Sequence, residues 1–112
     1  MNDKESALRK IVSIVYECCV TYNQQGVPSM TEEELIGASR KENVCMARTI
    51  LVCQLRWAGF TATTVADLLN RTVQSIRKME HEHSEYMRSS RAYRIAISEA
   101  TLRCKSVEPL GL

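Results

Sequence analysis

At 112 residues, 45% of them hydrophobic but only 5% aromatic, the chain can bury one core of aliphatic, thiol and thioether side chains and is too short for a two-domain enzyme. The net charge of +2 is unevenly spread: residues 1–34 carry three Lys/Arg against six Asp/Glu, residues 35–112 twelve against seven. A basic C-terminal part suits a polyanionic partner.

No stretch is apolar for long enough to cross a bilayer, and Met1-Asn2-Asp3-Lys4-Glu5 lacks a signal peptide's apolar run. A membrane role is therefore not expected, and a cytoplasmic location is. The five cysteines, Cys18, Cys19, Cys45, Cys53 and Cys104, form no C-x-x-C pair and read as reduced, largely buried thiols.

A first helix is predicted over about 5–22, with Leu8, Ile11, Val12, Val15, Cys19 and Tyr22 on one face, broken by Gly26 and Pro28. Thr31 with Glu34 three residues on makes a capping box for a short helix through Leu35 and Ile36. A polar connector over 37–41 follows. The next helix, about 43–58, is apolar on much of its circumference (Val44, Ala47, Ile50, Leu51, Val52, Leu55, Trp57), which places it at the centre of a bundle. Gly59 ends it, and Thr61 is a natural N-cap for what comes next.

Residues 61–79 read as two helices joined by a tight corner. Val65, Leu69, Ile76 and Met79 can face inward together, and the small Ala66 lets the helices approach. Asn70 falls where the backbone must turn left-handed. The second of these helices continues to about Tyr86 or Met87. Ser89 or Ser90 then caps a last helix with Tyr93, Ala96, Ile97, Ala100 and Cys104 on one side. The expected fold is all-α, a compact bundle of about six helices forming one domain over 1–105, with 106–112 as a loose tail.

The outward residues of the second helix in that pair, Thr72, Val73, Gln74, Arg77, Lys78 and His81, mix short hydrogen-bonding groups with cations. Such a surface suits the major groove of double-stranded DNA, with amides and hydroxyls for base edges and cations for phosphates. Gln74 and Arg71 are the expected base readers, since Gln matches adenine and Arg guanine bidentately. Thr61, Thr63 and Lys78 are expected on phosphates, with Ser75 and Arg77 part of the same surface. His81 and His83 lie two apart on a helix and cannot share a metal; His83 reads as a packing residue on the stripe of Met79, Tyr86 and Met87. No metal spacing, glycine-rich phosphate loop or paired nucleophile and base is present, so no cofactor and no catalysis are expected.

The order of motifs resembles one family. Glu34-Leu35-Ile36-Gly37-Ala38-Ser39-Arg40, then Val44-Cys45-Met46-Ala47-Arg48-Thr49-Ile50, then 61–69 and Thr72-Val73-Gln74-Ser75-Ile76-Arg77-Lys78-Met79 are similar to the C-terminal DNA-binding domain of the bacterial replication initiator DnaA. The resemblance spans roughly residues 8–90. It implies a helix-turn-helix, a connector arginine (Arg40) entering a minor groove, a central-helix arginine (Arg48) on phosphate, and a threonine (Thr72) touching bases or phosphate. The chain departs from the family at the corner, where Leu69-Asn70-Arg71-Thr72 replaces an Asp-His-Thr-Thr run, and it has no G-x-x-x-x-G-K-S/T for an ATPase module. The expectation is a free-standing DNA-binding domain. The alternative is a helical adaptor that binds another protein or a second copy through its last two helices, around Tyr86 and Tyr93.

Overall fold

Residues 3–107 are described by a computed structural model of the chain, and its axis is the apolar helix expected at the centre. Six helices are present among the described residues: α1 (Asp3–Cys19), α2 (Glu32–Ile36), α3 (Glu42–Trp57), α4 (Ala62–Leu68), α5 (Val73–Ser89) and α6 (Arg91–Cys104). The chain is all-helical, as the periodicity requires. Helix α3 packs against all five others, while α1 and α6 lie together on one side and α4 and α5 on another. Val44, Ala47, Ile50, Leu51, Val52 and Leu55 of α3 are buried, together with Ile11 and Val15 of α1, Ile76 of α5 and Tyr93 and Ile97 of α6. None of the described helices is long and apolar enough to cross a membrane.

Local chemistry sets the boundaries. The Thr31 hydroxyl accepts from the Glu34 backbone N–H at 3.0 Å and the Glu34 carboxylate from the Thr31 N–H at 3.0 Å, a complete capping box. Thr61, Thr72 and Ser90 each cap the helix that follows by accepting from the third N–H along. Ser90 thus ends α5 and starts α6 in one residue.

Three expectations need correction. Helix α1 stops at Cys19 because the Asn23 carboxamide oxygen takes the N–H groups of Gln25 and Val27, both at 2.9 Å, and folds the chain into a turn. Tyr22 is left 62% exposed and bridges to Pro28 instead of extending the apolar face of α1. Trp57 lies at the end of α3, 58% exposed, outside the core. Val107, expected in the loose tail, is buried on the core; the rest of that tail from residue 108 lies outside the described residues.

Candidate nucleic-acid interface

The α4–α5 pair is closed by a corner whose hydrogen bonds leave little freedom. Asn70 adopts φ 52, the left-handed conformation expected of it. The Arg71 N–H reaches back to the Ala66 carbonyl at 2.8 Å and the Asn70 N–H to Asp67 at 3.2 Å. This pairing ties off the last carbonyls of α4. Val65, Ala66, Leu69 and Ile76 are buried across the junction, and Met79 packs against the same core. With that face inside, Gln74, Arg77, Lys78 and His81 are exposed in one row at spacing i, i+3, i+4, i+7. Val73, expected outward, is half-buried against the core instead.

Beside this row lies a groove of about 510 Å³ between the 37–41 connector and the corner. Arg40, Arg48, Arg71 and Lys78 line it with Gly37, Ser39 and Asn70, and no carboxylate does. Arg40 and Lys78 are exposed and take part in no ion pair of the described residues. The connector's other cation, Lys41, is spent on Glu34 at 3.0 Å; this hydrogen bond, helped by the Thr31 N–H, holds the Glu34 carboxyl below its ordinary range.

Arg48 corrects the expectation placed on it. It is 2% exposed, and its Nε, Nη1 and Nη2 donate to the carbonyls of Leu35 (3.0 Å), Ser39 (3.0 Å) and Glu34 (2.8 Å). A five-residue helix leaves its last carbonyls without helical partners, and this guanidinium supplies them. Arg48 therefore positions the connector from beneath the groove: three of its five N–H donors are held by carbonyls, and the side chain is buried where a phosphate would have to reach it. Burial, and after it the charge of Arg71, push its pKa below the ordinary value. Its place was legible: Arg48 shares the stripe of Val44, Leu51 and Leu55, which faces inward.

The other expected site residues divide between the groove and its surroundings. Arg71 is half-buried and turned back on the connector, Nη2 donating to the Gly37 carbonyl at 3.2 Å while Nε is sealed from solvent without an acceptor. It does not stand out beside Gln74 as a base reader would. Ser75 is half-buried and lines a second recess of about 210 Å³ with Thr49, Arg71, Met79 and Glu82. The Thr72 hydroxyl is engaged in capping, accepting from Ser75 N–H at 3.1 Å. Thr61 and Thr63 are exposed at the start of α4, outside the groove, with the Thr61 hydroxyl shared between the Thr64 N–H and hydroxyl. Sequence reasoning missed the carbonyls of Glu34, Leu35, Gly37 and Ser39 as the groove's scaffold, because backbone acceptors leave no mark on side-chain spacing.

Elsewhere, His83 packs as expected, its Nδ1 2.8 Å from the Tyr93 hydroxyl and its ring edge-on to Trp57. All five cysteines are free, but only Cys53 is buried; the other four are half-buried. Of the two tyrosines expected on a partner-binding patch, Tyr93 is 1% exposed and Tyr86 is half-buried with its ring centroid 5.1 Å from that of Tyr93. An apolar recess of about 330 Å³ does open between α1, α3 and α6, lined by Cys18, Cys19, Met46, Ile50, Ile95 and Ala96 among others.

Comparison of the chain with protein-family profiles, with curated proteins and with solved structures returns no match. What fold and site define, among the described residues, is an all-α bundle of six helices carrying a cationic groove beside an exposed polar helix face.

Proposed function

We propose that the chain binds double-stranded DNA with sequence preference, α4 and α5 acting as a helix-turn-helix in the manner of the DnaA C-terminal domain that its motifs resemble. The observation that carries this reading is the continuity of two surfaces: the exposed row Gln74, Arg77, Lys78, His81 and the carboxylate-free groove of Arg40, Arg71 and Lys78, with Lys78 common to both. In this reading the N-terminal half of α5 enters the major groove. Gln74 and Arg77 reach base edges, Lys78 meets phosphate, and Arg40 reaches along the strand from the connector. No catalytic step is part of it.

The test is selection of bound duplexes from a random pool at two salt concentrations, followed by variants. Affinity is expected to fall linearly in log–log terms with salt, by a slope of roughly 0.9 per phosphate neutralised. Gln74→Ala is expected to cost about 1–3 kcal/mol at one base position, and Lys78→Ala to weaken all sequences alike and reduce the salt slope by about one. A pool that shows no enrichment, or a Gln74→Ala variant with unaltered preference, overturns the reading. A protein-interaction role has the apolar recess in its favour, with Ile95 and Leu102 exposed along α6 by 57% and 64%. Self-association measured by sedimentation, abolished by Ile95→Asp, is the result that supports it.

A further inference from the structure

We propose that the groove between the 37–41 connector and the α4–α5 corner is a seat for a single phosphate group, and that Arg71 leaves the Gly37 carbonyl to close on it as a phosphate clamp. The inference deepens the DNA reading and rests on it for the carrier of that phosphate, one strand of a duplex.

Three observations converge. First, Arg71 is under-used where it stands. Its one hydrogen bond, Nη2 to Gly37 at 3.2 Å, is long for a charged donor, and its Nε is buried with no acceptor at all. A buried guanidinium N–H without a partner favours any rearrangement that supplies one. Second, the groove concentrates like charge. Arg40, Arg48, Arg71 and Lys78 line it without a carboxylate, and the Arg71 charge weighs on Arg48. Arg48 cannot move away, because three carbonyls hold it. A bound anion relieves this repulsion; a neutral ligand does not. Third, the donor set matches a phosphate. A guanidinium fork reads two phosphate oxygens at once, a lysine beside it adds a point charge, and the groove is roomy enough for a diester with its flanking sugars.

Arg71 is suited to this task and unsuited to base reading for the same geometric reason. It follows the left-handed Asn70, so its side chain starts toward the connector while the exposed row of α5 begins with Gln74, a turn further on. Sequence preference then falls to Gln74 and Arg77, and Arg71 fixes register on the strand.

The experiment has two arms, both on the full chain. In the first, inorganic phosphate is titrated against chloride at matched ionic strength while the Arg71 Nε–H resonance and the melting temperature are followed. A saturable shift of that resonance with phosphate but not chloride, lost in Arg71→Ala and weakened in Arg71→Lys, which keeps the charge without the fork, is the expected result. In the second arm, Arg71→Ala is expected to lower duplex affinity by roughly tenfold for preferred and unrelated sequences alike. An Nε–H that ignores phosphate, or an Arg71→Ala variant whose preference changes at one base pair, overturns the clamp. The two readings fail separately: phosphate binding without duplex binding keeps the seat and ends the DNA reading, and sequence-preferring duplex binding with an unresponsive Arg71 does the reverse.

Discussion

Helix α3 presents two sides that were built by different physics. One side, through Cys45, Arg48 and Thr49, faces the cationic groove and the small recess beside it; the other, through Asn43, Met46, Ala47 and Ile50, faces the apolar recess against α1 and α6. The apolar side is shaped by side chains filling space, an undirected attraction proportional to area. On the cationic side, the shape comes from a few directed hydrogen bonds that bring a five-residue helix and a connector to one buried guanidinium. A region of the first kind yields gradually when altered. A region of the second kind depends on single residues.

The largest effects should expose that difference. Ile50→Ala, at a site 1% exposed, is expected to cost about 2–5 kcal/mol of stability in urea unfolding and to leave duplex affinity unchanged below the melting range. Arg48→Met is expected to cost about 3 kcal/mol, since three carbonyls lose a charged donor and face a thioether. Unlike Ile50→Ala it should also free the connector, raising amide exchange over residues 37–41 and weakening duplex binding indirectly. An Arg48→Met protein of full stability and ordinary exchange, deficient only in DNA binding, would return Arg48 to the phosphate role that the motif resemblance implies.

The thiols set into α1, α3 and α6 should make the fold as a whole sensitive to alkali. Burial pushes the Cys19 thiol from 9.0 up to about 12 and Cys53 and Cys104 up to about 11. A raised thiol pKa means that the fold prefers the neutral form. Stability is therefore whole below about pH 9 and drains as pH rises through about 11 for Cys53 and Cys104 and about 12 for Cys19. Urea midpoints measured from pH 8 upward are expected to decline above pH 9, with a shallower decline in Cys19→Ala. An unchanged slope in that variant would mean that the decline comes from elsewhere.

The same division explains how much the sequence revealed. The apolar positions of α3, α5 and α6, the capping box at Thr31 and the caps at Thr61 and Ser90 follow from periodicity and local hydrogen-bonding chemistry, which act within a few residues, whereas Thr72, expected on DNA, turned out to cap α5. The exposure of Gln74, Arg77 and Lys78 followed from the inward set on the same helix. The roles of Arg48 and Arg71 did not follow. Each is decided by carbonyls 9 to 34 residues away in the chain, and no spacing rule reports where a distant acceptor will be left without a partner. Helical spacing could place Arg48 inward, but only the folded backbone decides which carbonyls meet a cation there.

The smallest effect tests the corner itself. Helices α3 and α4 end by the same hydrogen-bond pattern: Phe60 N–H reaches Leu55 and Gly59 reaches Arg56, as Arg71 reaches Ala66 and Asn70 reaches Asp67. The left-handed residue is Gly59 at φ 103 in the first and Asn70 at φ 52 in the second. At φ 52 an asparagine is tolerated and an alanine is strained, so Asn70→Ala is expected to cost about 1 kcal/mol. Asn70→Gly relieves the backbone but loosens the unfolded chain as well, and should stay within about 1 kcal/mol of the parent. Urea midpoints at constant slope separate the three proteins. If alanine and glycine proved equal at residue 70, the left-handed turn would not be what sets the path of the chain into Arg71 and from there to the connector.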